Sequence, residues 1–437
     1  MKRLIFIILI TFYTGESFSQ SGWFIQQSGL SDGLNSIYFV NSNTGWICGD
    51  SGKIIKTTNG GAQWILQSSP TQYPLLSVFF LNENTGWCSG GEWDFNTFPS
   101  RMLVLKTVNG GSNWIESYYS NSAYTSFGPI YFTDAMNGTV TELGGTGSGT
   151  IGGLRKTSDG GFSWQTVLTS GSAYTDIQYT DLNKGWALSR YFDDTGGDTG
   201  YISVSSDGGN SWNVNYQAAK TNFSSFYFYN NNIGWVSGSD YVNFSNNNFV
   251  LRTSNSGISW DKYNFGQDVS LDQIYFTDPE NGWGCSGRIY RTGNGGQNWT
   301  QQLDFSGNFY KSIFFTDSLT GWAAGDNGAI VKTITGGVTN INSLAGNIPG
   351  DFFLHQNFPN PFNPITIINY EIGITNFVKL QVYDVLGNEV ATLVNEKQKA
   401  GSYSIEFDGS GFASGIYFYS LFADGKIIET KKMTLLK

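Results

Sequence analysis

The chain repeats one motif seven times, and that repetition leaves few folds open to it. The first copy reads GWICGDSGKIIKTTNGGAQW from Gly45 to Trp64. It recurs with its closing tryptophan at Trp114, Trp164, Trp212, Trp260 and Trp299, and a seventh copy, starting at Gly321, lacks that tryptophan. Successive closing tryptophans lie 50, 50, 48, 48 and 39 residues apart. A period of this length, built of short apolar segments between Gly- and Asn-rich turns, predicts one four-stranded propeller blade per copy. In the first copy the strands are expected over 36–40, 45–49, 53–57 and 63–67. Such blades bury their faces only against one another, so the ring has to close.

The two chain ends supply the closure. Asn340 stands where the seventh closing tryptophan belongs, while SGWFIQQSG near the start puts Trp23 in the setting of Trp64. Residues 21–28 are therefore predicted to form the outer strand of the seventh blade. Thirteen of the 14 tryptophans then have repeat slots: Trp46, Trp87, Trp186, Trp235, Trp283 and Trp322 in the GW pair, and the closing set with Trp23 on the outer strands. They read as core. The third copy departs, with Gly138-Thr139 in place of GW, and Trp93 alone falls outside the register. A shared third-strand slot holds Lys56, Lys106, Lys156, Arg252, Arg291 and Lys332, which reads as structural.

The opening MKRLIFIILITFYTGESFSQ has a basic start, a short apolar run and small residues before Gln20, the pattern of a cleaved secretory signal over 1–19. No later run is long and apolar enough to span a bilayer. A net charge of -10 with only 13% charged residues gives no basic face for nucleic acid. One histidine and three cysteines exclude a zinc or copper cluster, and the lone His355 lies outside the repeats, which excludes Ser-His-Asp and Cys-His catalysis there. Cys48, Cys88 and Cys285 follow GW pairs and read as packed thiols. Cys48 and Cys88 fall on facing surfaces of neighbouring blades, so a disulfide between them is geometrically open.

The turn before each closing tryptophan carries Asn59, Asn109, Asp159, Asp207, Asn255 or Asn294 at one position. Thr157-Ser158-Asp159-Gly160-Gly161-Phe162-Ser163-Trp164 and the segment from Ser205 to Trp212 resemble the Asp-box of bacterial neuraminidase (BNR) repeats, a structural turn remote from active sites in the families that carry it. The whole repeat over 21–340 also resembles photosystem II assembly-factor propellers. The resemblance implies a seven-bladed β-propeller, here over 20–340. Sialidase chemistry needs an arginine cluster with a Tyr–Glu pair, and Arg101, Arg155, Arg190 and Arg288 share no common placement.

Repeats stop after Gly337. A linker is expected over 341–352, followed by alternating sets (Val378, Leu380, Val382; Tyr403, Ile405, Phe407; Tyr417, Tyr419, Leu421) that predict a small immunoglobulin-like β-sandwich over 353–437. Its segments Pro359-Asn360-Pro361-Phe362-Asn363-Pro364, Tyr383-Asp384, Leu386-Gly387, Gly415-Ile416-Tyr417 and the terminal KMTLLK resemble the type A C-terminal sorting domain of the Bacteroidetes type IX secretion system. That resemblance implies the type IX machinery as a partner and a secreted or outer-membrane-surface location.

Long insertions fall only in the connectors between second and third strands of blades two to five. They carry Trp93, Asp94, Phe95 and Phe98, then Tyr191, Phe192, Asp193 and Asp194, then Tyr241 and Phe244. A one-sided wall of aromatics with nearby acids suits a glycan or a protein partner, although the same aromatics would also serve to pack the loops. The run from Asp193 to Asp198 offers oxygens to calcium without the spacing of a known calcium loop; no cofactor is otherwise expected. The expected function is a secreted binding propeller. The alternatives are a polysaccharide hydrolase with two loop carboxylates and an assembly-factor-like binder of proteins.

Overall fold

The structure, a computed structural model, describes residues 22–92, 100–122, 125–146, 149–150, 152–191, 198–242, 245–267, 269–304, 307–338, 352–354, 356–357, 360–399 and 401–436. The expected signal segment, Asn340, His355 and nearly all of the expected linker lie outside these residues. Contacts divide the chain into two units, Met1–Val338 and Thr339–Lys437.

The first unit is a seven-bladed β-propeller of antiparallel sheets. Blade 1 runs Leu34–Phe39, Gly45–Gly49, Ile54–Thr57 and Ile65–Leu66 from the axis outward. Its outer strand is shorter than expected. Blade 2 runs Leu75–Phe80, Gly86–Glu92, Ser100–Thr107 and Ile115–Ser122. Blade 3 follows with Thr125–Phe132, Gly138–Thr146, Gly152–Thr157 and Gln165–Ser170, and blade 4 with Ser172–Tyr179, Gly185–Tyr191, Thr199–Ser205 and Asn213–Ala219. Blade 5 is Thr221–Phe228, Gly234–Val242, Ser245–Thr253 and Asp261–Gly266, and blade 6 is Gln273–Phe276, Gly282–Ser286, Arg288–Thr292 and Thr300–Leu303. Blade 7 takes Tyr310–Phe315, Gly321–Gly325 and Ala329–Gly337 from one end of the repeats and Gly22–Gln27 from the other. Ile25 pairs with Val331 and Gln26 with Ile330, which is the closure read from Trp23.

The GW pair works across seams. Trp46 stacks on Phe80 of blade 2 with centroids 3.5 Å apart, and Trp114 meets the same ring edge-on at 5.8 Å. Trp322 and Trp64 treat Phe39 alike, closing the circle. The glycine before the tryptophan is required by this packing, because a Cβ on Gly45 would lie 2.5 Å from the Phe39 ring. Each stacked pair adds about 1 kcal/mol beyond its buried area. The indole N–H donates to the next blade's turn: Trp46 to Gly110 O at 3.1 Å, Trp87 to Gly160 O at 2.9 Å, Trp235 to Gly295 O and Trp283 to Gly336 O both at 2.8 Å. The third-strand cations cover the same indoles, as Lys56 does Trp46 and Arg291 does Trp283. In blade 4 that slot holds Val204, and Lys184 covers Trp186 instead.

Those turns are internally satisfied. Thr57 Oγ1 accepts the Gly61 N–H at 2.8 Å and donates to Asn59 Oδ1, which accepts the Gln63 N–H at 2.9 Å. Asp159 accepts from the N–H groups of Phe162 and Ser163, and its second oxygen takes the Ser163 hydroxyl at 2.6 Å. Burial opposes the charge, but these donors hold the Asp159 carboxyl down at about 2.

In the second unit, one sheet orders Phe353–Leu354, Ile365–Ile372 and Gly401–Asp408, and the other orders Glu389–Gln398, Asn376–Tyr383, Gly415–Ala423 and Lys426–Leu435. Val378, Leu380, Val382, Tyr419 and Leu421 are fully buried between them. The Asn-Pro-Phe-Asn-Pro segment covers the C-terminal end of the last strand's outer edge. Asn360 donates to Lys432 O and accepts the Thr434 N–H, while the Phe362 N–H donates to Thr434 O at 2.9 Å. Over 432–436 the edge is thereby closed to further strand pairing.

Candidate binding face

The seven innermost strands bring one residue each to the axis. Tyr38, Phe79, Tyr131, Tyr227, Tyr275 and Phe314 form a horseshoe of rings, with successive centroids 4.7–5.2 Å apart along the contacts that join them, and Gln178 stands between Tyr131 and Tyr227. Burial pushes the Tyr227 hydroxyl up to about 12 and those of Tyr38 and Tyr275 upward too, so all remain protonated. The rings line and narrow the channel.

A second belt on the same strands ties blade to blade. The N–H groups of Ile37, Val78, Ile130, Phe226 and Ile313 donate to Ser312, Ser36, Ser77, Asp176 and Gln273 of the preceding blades. Blade 3 has Pro129 at this position and no side-chain acceptor to offer. Asp176 then serves its own neighbour, accepting from Ile177 N–H at 2.9 Å as well as from Ser225 and Phe226. Desolvation raises its carboxyl to about 6, against the pull of those donors.

At the end of the ring opposite the turns between third and outer strands, the blades differ in height. The second strand spans 7, 9, 7 and 9 residues in blades 2 to 5, against 5 in blades 1, 6 and 7. Blades 2 to 5 thus stand as a crescent on one side. Of the expected wall residues, Trp93, Asp94, Phe95, Phe98, Phe192, Asp193, Asp194 and Phe244 lie outside the described residues, and with them nearly all of the acidic segment considered for calcium. Tyr191 ends the second strand of blade 4, opposite Ser172 and Thr199, and is 43% exposed. Tyr241 pairs with Asn246 in a regular hairpin rather than a loop.

At the step from low blade 1 to high blade 2 lies a cleft of about 460 Å³, lined by Pro70–Pro74, Glu92, Arg101 and Glu116. Arg101 Nη2 donates to both Glu116 oxygens at 3.0 Å, and the guanidinium lies over Tyr73 and Tyr119, 5.1 and 4.7 Å from their centroids. Tyr119 is 57% exposed. No repeat position marks Arg101 in the sequence; the signal available was Tyr73 between two prolines in the connector just before blade 2. Other charges at the foot of the crescent are also paired, Arg155 with Glu142 at 2.7 Å and Lys262 with Asp240. Partly exposed pairs contribute little to stability, but they leave this foot to recognise through planar polar and aromatic surfaces. Among the described residues no group of three His, Cys, Asp or Glu side chains is placed to hold a metal, and no helix is long and apolar enough to cross a membrane.

Residues 356–435 match the family described as a secretion system C-terminal sorting domain. The chain therefore carries a type IX export signal, directing it to the cell surface or the medium. Two solved propellers are similar to the first unit. YCF48 bound to D1 peptide aligns at 17% identity over 73% of this chain and 98% of its own, with a TM-score of 0.55. YCF48 from Cyanidioschyzon merolae aligns at 17% identity over 71% and 98%, with a TM-score of 0.52. These likenesses establish the propeller fold. No curated protein sequence gave a significant match.

Proposed function

We propose that this is an exported recognition propeller that binds an extended polymer, a glycan or a polypeptide, along the crescent of blades 2 to 5 without turning it over. The carrying observation is the height step, 7–9 residues against 5, with the Arg101–Tyr73–Tyr119 cleft at its foot. Aromatic rings narrow the axis, and a long ligand is accommodated across the face. A guanidinium already neutralised by Glu116 and sandwiched against two rings suits stacking and hydroxyl or amide hydrogen bonds better than an anion. The peptide-bound YCF48 propeller makes a polypeptide a natural first probe, as for an assembly-factor-like role.

A hydrolase is the second reading, favoured by one observation: Glu92 and Glu116 line the same cleft. Binding of the propeller, residues 20–340, to arrays of cell-wall and plant polysaccharides and to peptide arrays separates these readings. Retention without product release supports recognition. Release of reducing ends that is lost in Glu92→Gln would establish the hydrolase, and no binding to any array would overturn both.

A further inference from the structure

Two of the three cysteines meet at one seam. Cys48 lies in the second strand of blade 1 and Cys88 in the second strand of blade 2, both with zero exposure. They share a core cluster with Trp46, Ile54, Leu75 and Leu103. Strand side chains alternate between faces. Cys48, two residues after Trp46, shares its side and faces blade 2, whereas Cys88, one residue after Trp87, faces back toward blade 1. Both pack in this seam with Leu75, whose carbonyl accepts from the Cys48 thiol at 3.6 Å, and Cys48 is a polar neighbour of Cys88. At the seam between blades 6 and 7, Cys285 packs with Ala323, the residue in blade 7 that corresponds to Cys88, so its seam holds one thiol.

We propose that Cys48 and Cys88 join in a disulfide between blades 1 and 2 in the exported protein, with Cys285 left as the sole thiol. Both are thiols in the structure. The sorting domain sends the chain out of the reducing cytoplasm, to compartments where disulfides persist. The oxidant is the disulfide of a periplasmic thiol oxidoreductase. One cysteine thiolate attacks that disulfide to give a mixed disulfide. The second cysteine then displaces the enzyme sulfur, and the two electrons and two protons end on the enzyme's dithiol. Burial raises the Cys88 thiol pKa and excludes solvent from the pair, so exchange precedes the closing of the seam. The bond would fasten two neighbouring blades that are also held by packing and by hydrogen bonds of Asn35, Ser36, Asn41 and Trp46.

The test uses the full chain exported from a host with an active type IX system, denatured in an alkylating reagent without reductant. One alkylated cysteine is expected, on the tryptic peptide ending at Arg288, rising to three after reduction. The peptides ending at Lys53 and Arg101 should appear as one linked species. In Cys88→Ser protein the same procedure should label Cys48 and Cys285. Three labelled cysteines in unreduced wild-type protein, or a link that includes Cys285, would overturn the proposal.

Discussion

Trp322 donates its indole N–H to the carbonyl of Gly60 at 3.1 Å, tying the last blade to the first across 262 residues of chain. Gln26 reinforces the tie: its amide donates to the same carbonyl at 3.3 Å and accepts the Trp64 indole N–H at 3.3 Å. Gly61 leaves room for it, since a Cβ there would sit 2.0 Å from Gln26 Oε1. Trp322→Phe keeps the stack on Phe39 but removes the donor, and should cost about 1–2 kcal/mol. Trp186→Phe is the internal control. Its Nε1 has no partner among the described residues, and the turn it faces carries Ser256 at the position of the glycine, with a similar positive φ. Urea unfolding should rank Trp322→Phe as the more damaging; equal midpoints would remove the latch from the account.

Blade 3 breaks the GW rule and compensates in the next blade. Thr139 replaces the tryptophan, and Tyr179 replaces the phenylalanine that would stack on it, with the two hydroxyls 2.7 Å apart. Thr139→Val and Tyr179→Phe should each cost about 1 kcal/mol, and the double variant should cost less than their sum. Thr139→Trp alone forces an indole against the Tyr179 hydroxyl. Thr139→Trp combined with Tyr179→Phe should therefore be more stable than Thr139→Trp by itself. Additive losses in the valine–phenylalanine cycle would show that the pair is not coupled.

Much of this was legible in the chain. The tryptophan register fixed the blades, and Trp23 pointed to the closing strand. The aromatic lining of the axis was not, because Ile37-Tyr38-Phe39 reads as a strand buried on both sides, and only a ring turns its middle residue toward an axis shared by seven strands. The cleft was missed for a related reason. Arg101 and Glu116 are 15 residues apart and Tyr73 lies in the connector between blades, so none of the three stands out until blade 2 folds against blade 1. The Thr139 departure was visible, yet its partner Tyr179 could have been found by lining up the Ile-aromatic-Phe triplets.

Asp176 gives the ring a pH dependence of definite sign. Its folded pKa, about 6, lies above the unfolded carboxylate value, so the folded state binds the extra proton in between. The group's contribution is greatest below about pH 4 and is lost as pH rises through about 6. Asp176→Asn mimics the neutral acid and has no such loss. Its stability relative to wild type should improve by about 2–3 kcal/mol between about pH 4 and pH 8, with some discount because the channel admits solvent to one side. Parallel stability–pH curves for the two proteins would contradict the assignment.

The cleft at the foot of blade 2 yields the sharpest test of recognition. Arg101→Ala removes the guanidinium that bonds Glu116 and lies over Tyr73 and Tyr119, while the pair itself, 29% and 23% exposed, contributes at most about 1 kcal/mol to folding. The variant should therefore fold with nearly unchanged stability and lose about tenfold or more in affinity for whatever polymer the arrays identify. Arg101→Lys keeps the charge without the planar guanidinium that lies over the two rings, and should fall close to alanine. Tyr119→Ala removes an exposed ring and should weaken binding without altering stability by more than about 0.5 kcal/mol. Titration calorimetry on the three variants, set beside their urea midpoints, separates the outcomes. Affinity that follows stability would make the cleft a packing feature, whereas affinity lost at constant stability places the ligand against Arg101.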